Sequence, residues 1–83
     1  MQDQVRRILA QNGRLAVPVD SLAEDADLFA AGLDSLAMVN VLMSIEEHFD
    51  IELPDEFLSR RTFASIDAIA RVVSDLTARV ASI

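Results

Sequence analysis

Cysteine is absent from this 83-residue chain. No disulfide can staple it, no Cys/His cluster can bind zinc, and any thiol it uses must be brought in. Basic charge is scarce and confined. All seven basic residues are arginines, and none falls between Leu15 and Ser59. No stretch approaches the ~18 consecutive apolar residues of a membrane span. Met1-Gln2-Asp3-Gln4-Val5-Arg6-Arg7 lacks the apolar run of a secretory signal, so a cytoplasmic location is expected. Strands are missing from the pattern as well, because Ile51-Glu52-Leu53 is too short and stops at Pro54.

What the chain does have is acid. Eleven of its fourteen acidic residues lie between Asp20 and Glu56, and the net charge is -7. Such a field repels phosphate backbones and argues against nucleic-acid binding. It attracts basic protein surfaces and speeds encounter with them. A single small domain over residues 1–83, monomeric and of modest stability, is the expectation from length.

Val5, Ile8, Leu9 and Asn12 recur at helical spacing and predict a first helix ending near Asn12-Gly13. About twenty residues without a period follow, marked as loop by Pro18, Asp20-Ser21 and the acids Glu24, Asp25 and Asp27. A loop of that length in a compact domain is usually functional. Leu15, Val17, Leu22, Leu28 and Phe29 are expected to tie it to the core. From Leu36 to Phe49 apolar residues dominate a central helix. Ala37, Asn40, Ser44 and Glu47 share one of its faces and predict a narrow, exposed polar ridge. Pro54-Asp55 opens a predicted short helix through about Arg60. Ser65 is placed to cap the last helix, whose apolar seam runs through Ile66, Ile69, Val73, Leu76, Val80 and Ile83. The expected fold class is all-α: a small four-helix bundle, three helices longer and one short, with a long loop between the first two.

Ser35 is the candidate for chemistry. It stands at the predicted start of the central helix in Gly32-Leu33-Asp34-Ser35-Leu36. A helix N-terminus offers unpaired N–H groups and the positive end of the dipole, which favour a phosphate on this hydroxyl. The alternative is that Ser35 only caps the helix.

The run Asp27-Leu28-Phe29-Ala30-Ala31-Gly32-Leu33-Asp34-Ser35-Leu36 resembles the modification site of the acyl and peptidyl carrier protein family. The resemblance continues through Ile45-Glu46-Glu47-His48-Phe49-Asp50-Ile51-Glu52-Leu53-Pro54-Asp55 and Thr62-Phe63-Ala64-Ser65-Ile66. It implies a carrier rather than an enzyme, with 4'-phosphopantetheine attached to Ser35 and an acyl or aminoacyl group held on it as a thioester. It implies that Asp34 helps hold the metal of the phosphopantetheinyl transferase that installs the arm. Partner contacts are implied at Leu36 and Met43, and along the ridge at Ala37, Asn40 and Glu47. The further partners it implies are an acyl or aminoacyl ligase and downstream transferases. Fatty-acid-synthase carriers have acids on the ridge where this chain has Ala37 and Asn40, which points to a dedicated pathway. The blocks from Phe49 to Asp55 and from Leu58 to Ile66 are similar to small stand-alone aminoacyl carriers, loaded by ligases related to seryl-tRNA synthetase.

Rival readings fail on spacing or stay open. The lone histidine, His48, is thirteen residues from Ser35 along one helix, about 20 Å at ~1.5 Å per residue, beyond reach as a catalytic base. There is no Gly-x-Ser-x-Gly elbow. An EF-hand loop begun at Asp25 would put Phe29, Ala30 and Leu36 at its fifth, glycine and final glutamate positions, so no metal site is expected. A helical adaptor without a prosthetic group remains the alternative that charge and periodicity leave standing.

Overall fold

A computed structural model describes residues 1–81, with side chains through residue 78. Three α-helices carry the fold: α1 (Gln2–Asn12), α2 (Ser35–Phe49) and α3 (Ile66–Ala81). Two single 3-10 turns, Val19–Ser21 and Asp55–Phe57, punctuate the connections, and no strand occurs among the described residues. The short helix expected from Pro54 to Arg60 is therefore one tight turn. Phe57 N–H bonds to Pro54 O and Leu58 N–H to Asp55 O, after which Ser59 to Ser65 run as turns and bends. Ser59, Arg60 and Arg61 add no buried side chain that would hold further helical turns, and isolated short helices lack the propagation energy to persist alone.

Each long helix turns one apolar stripe inward. Val5, Ile8 and Leu9 of α1 meet Ala37, Val41 and Ile45 of α2 and Ile66, Ile69, Val73 and Leu76 of α3. Leu28, Leu33, Leu53 and Phe63 fill the core from the connections. The predicted seam of α3 is buried at its first four positions; the Val80 side chain and Ile83 lie outside the described residues.

Helix α1 ends at Asn12, where the sequence placed its end, with Gly13 as its cap. Gly13 is right-handed (φ -79°, ψ -20°) and donates to Leu9 O at 2.7 Å. The left-handed residue is Arg14, at φ 53°. Glycine is required at 13 for space, since a Cβ would sit 2.7 Å from Leu9 O.

The long connection is pinned at several points. Arg6 Nη1 donates to Val19 O at 2.8 Å. Ala16 N–H meets Ala31 O at 2.9 Å, Leu28 N–H meets Ala64 O at 2.8 Å, and Asp67 N–H meets Glu24 O at 2.9 Å. Leu28 is fully buried, and Leu15, Leu22 and Phe29 pack on the core. Val17 does not join them; it is exposed. Ser65 Oγ accepts from Ala68 N–H at 3.0 Å and caps α3 as its position implied.

Candidate functional site

The corner where the long loop enters α2 is built by short-range hydrogen bonds. Asp27 Oδ1 accepts from Phe29 N–H at 2.9 Å and starts a turn. Gly32 N–H returns to Phe29 O at 3.2 Å, and Leu33 N–H to Leu28 O at 3.0 Å. Gly32 has φ 117°, and a Cβ there would lie 2.9 Å from Ala16 N, so only glycine fits the bend. Buried Leu33 then anchors the chain before α2 begins.

Asp34 is the helix cap. It is extended (φ -119°, ψ 178°), and its Oδ1 accepts from Ala37 N–H at 2.8 Å. Ser35 is the first helical residue, exposed, and its hydroxyl has no hydrogen-bond partner among the described residues. The capping role open to Ser35 in the sequence thus belongs to its neighbour. The N–H groups of Ser35 and Leu36 also lack a partner among the described residues. A phosphodiester on the Ser35 oxygen fits here: it would have free donors and the positive end of the α2 dipole beside it.

The exposed face of α2 departs from the predicted ridge. Ala37 is 0% exposed and belongs to the core with Val41 and Ile45; it presents nothing to a partner. Alanine is among the residue types most often fully buried, and counting it as ridge rotated the face by one position. Ser44 is half-buried. Leu36, Asn40, Met43 and Glu47, spaced four, three and four residues apart, are all exposed and share one face. Val39 joins them at 39% exposure, beside Leu36 at 63% and Met43 at 60%. The docking candidate is an apolar patch starting one residue from Ser35, with Asp34 at its near end and Glu47 at its far end. An exposed large apolar patch is the informative departure from ordinary surface. The sequence held one signal for Val39, its place three residues after Leu36 and four before Met43.

One further feature lies at this corner, and others lie at the opposite end of α2. The Arg60 guanidinium lies over the Phe29 ring, 4.3 Å from its centre, a pairing that sequence separation hid. Glu46 Oε2 accepts from Leu53 N–H at 2.8 Å and closes the end of α2, where Asp50 is left-handed at φ 53°. His48 sits in the last turn of α2, edge-on to Phe49. No group of three or more potential metal ligands gathers among the described residues, and none of their helices is long and apolar enough to cross a membrane.

Residues 3–77 match the family described as the phosphopantetheine attachment site. The chain belongs to that family. Its prosthetic group is 4'-phosphopantetheine, joined covalently, and its function is that of a carrier protein that holds acyl or aminoacyl groups as thioesters. The aminoacyl carrier protein of Agrobacterium fabrum is 53% identical over 73 residues, 88% of each chain. Aminoacyl carrier protein 1 of Bradyrhizobium diazoefficiens is 32% identical over 69 residues, 83% of this chain and 72% of that one. In structure, the chain is similar (TM-score 0.86, 53% identity) to one from a crystal structure of an engineered Bradyrhizobium japonicum glycine:[carrier protein] ligase complexed with a carrier protein from Agrobacterium tumefaciens and AMP. That likeness covers 89% of this chain and 99% of the other. Family membership removes the adaptor alternative, since that reading had no prosthetic group. The arm supplies the thiol this cysteine-free carrier chain lacks.

Proposed function

We propose that Ser35 is the attachment hydroxyl and that this single carrier domain presents an aminoacyl group to enzymes of a dedicated cytoplasmic pathway. The observation that carries the reading is the free, exposed Ser35 hydroxyl at the first position of α2, beside a cap that does not need it. Asp34 uses Oδ1 in the cap, and its carboxylate remains next to Ser35, where it can assist the metal of the phosphopantetheinyl transferase.

Leu36, Val39 and Met43 make the apolar centre of the docking face, with Asn40 and Glu47 at its polar side. Its partners are the transferase, an aminoacyl:carrier ligase and the enzymes that receive the cargo. Similarity to a carrier protein complexed with a glycine:[carrier protein] ligase supports the ligase assignment. The chain itself turns over no substrate; it presents one, as a monomer.

The test is intact mass of protein incubated with coenzyme A and a phosphopantetheinyl transferase, followed by ATP, glycine and such a ligase. The wild-type chain gains the arm and then an aminoacyl group, and Ser35→Ala gains neither. An alanine variant that still takes the arm would overturn the assignment.

A further inference from the structure

Arg60 comes from outside the attachment corner and folds back onto it. It lies in the non-helical segment between the Asp55–Phe57 turn and α3, and its guanidinium carbon stands 4.3 Å from the centre of the Phe29 ring. Phe29 is half-buried and Arg60 exposed, an arrangement in which the ring face attracts the cation electrostatically. The charge pattern sharpens this. No basic residue occurs between Leu15 and Ser59, so Arg60 is the first cation after the acidic stretch, and it is returned to that stretch.

Phe29 is a structural member of the turn that delivers Ser35. Its N–H is held by Asp27 Oδ1 at 2.9 Å. Its carbonyl receives Gly32 N–H at 3.2 Å, and the neighbouring Leu28 carbonyl receives Leu33 N–H at 3.0 Å. Ser35 follows two residues later. The Arg60 segment is joined to this turn by one backbone hydrogen bond as well, from Leu28 N–H to Ala64 O at 2.8 Å. Arg60 therefore supplies the side-chain half of a two-point attachment.

We infer that Arg60 is a positioning residue for modification at Ser35: stacked on Phe29, it holds the turn over residues 27–33 in the geometry a phosphopantetheinyl transferase engages. The inference rests on Ser35 being the attachment hydroxyl. Arg60 acts through Phe29, Gly32 and Leu33. Loss of the stacking shifts the turn toward conformers that misplace the hydroxyl, and small misplacements of a reacting group are costly in rate.

The experiment is steady-state transfer of the arm from coenzyme A onto the full chain, for wild type, Arg60→Gln, Arg60→Lys, Phe29→Leu, the Arg60→Gln/Phe29→Leu double variant and Ser35→Ala. Arg60→Gln and Phe29→Leu should each lower kcat about three- to tenfold with little change in KM. Arg60→Lys keeps a cation over the ring and should recover most of the rate, and the double variant should be no slower than either single one. Matching circular dichroism at the assay temperature excludes unfolding as the cause. Amide exchange should rise at residues 29–33 and stay unchanged at Val41 and Ile45. An unchanged kcat in Arg60→Gln, losses that multiply in the double variant, or a lysine that fails to rescue would overturn the inference. Arm transfer onto Ser35→Ala would instead remove the assignment beneath it, and that outcome is read separately.

Discussion

The Asp34 carboxylate accepts the Ala37 N–H at 2.8 Å, and that one bond gives the capping of α2 to Asp34. Asp34 takes the structural task, so Ser35, one residue on, is left with a free hydroxyl.

Stability and loading should therefore respond to different residues. Ser35→Ala replaces an exposed first-turn residue by a strong helix former and should change stability by no more than about 0.5 kcal/mol, while abolishing loading. Asp34→Ala should cost about 0.5–2 kcal/mol, and Asp34→Asn, which keeps an acceptor oxygen, much less. Thermal melts and intact mass check both halves. A Ser35→Ala melt lowered as far as that of Asp34→Ala would mean that the serine, after all, caps the helix.

Gly32 should tolerate no side chain. Its φ of 117° and the 2.9 Å approach of a Cβ to Ala16 N combine backbone strain with a backbone clash. Gly32→Ala should destabilise the domain by about 1–3 kcal/mol and move the amide resonances of Ala16, Ala31 and Ser35. Denaturant titration with a matched amide spectrum checks this. A variant as stable as wild type would show that the loop entry is softer than its geometry implies.

The docking face makes a prediction in two parts. Truncating Leu36, Val39 or Met43 to alanine should weaken binding to the ligase, and at least one by about fivefold or more, as for a buried interface anchor. Association should also slow as salt rises, the expected outcome if the eleven acids from Asp20 to Glu56 act as a steering field screened over ~8–10 Å. Ala37→Glu should fail differently, by unfolding, since position 37 is fully buried and an unpaired buried charge is costly. Calorimetric affinities, stopped-flow rates and circular dichroism separate these effects. Unchanged affinity in all three alanine variants would move the interface off α2.

Periodicity carried the three long helices and the α3 seam into view, because burial and helical spacing agree there. It failed on α2 for a physical reason. This helix leaves the large apolar Leu36, Val39 and Met43 in water, so spacing alone does not separate them from core, while buried Ala37 looked like surface. The short helix after Pro54 failed for another: capping signals can start a turn, but only buried contacts prolong it. The motif singled out Ser35 as the candidate hydroxyl, and the fold leaves it exposed at the start of α2. The division of labour with Asp34 was not legible, because adjacent Asp and Ser are both good caps and only the Asp34 backbone and its bond to Ala37 distinguish them. The Phe29–Arg60 pair joins residues far apart in sequence, and no local pattern marks it.

The cargo should be short and held outside the bundle. The bulky residues of α2 do not all fill the core, since Leu36, Val39 and Met43 face solvent. The interior is occupied instead by Leu9, Leu28, Val41, Ile45, Phe63, Ile66 and Ile69, each at 1% exposure or less. The two largest of the depressions described, about 410 and 360 Å³, are open to solvent, and residues 35–49 line neither. Sheltering a long acyl chain would require parting this core, and a small domain has little free energy to spend on that. A small polar aminoacyl group needs no such shelter. Loading the holo-protein with glycine and, separately, with a long-chain acyl group should therefore give a contrast. Glycine should leave the melting temperature and core amides unchanged. The long chain should leave the Ile45, Phe63 and Ile69 amides unmoved while perturbing those of Leu36, Val39 and Met43, the apolar surface nearest the attachment point. A long chain that raises the melting temperature and shifts the core amides would show that the helices part to admit it, and the short-cargo reading would fall.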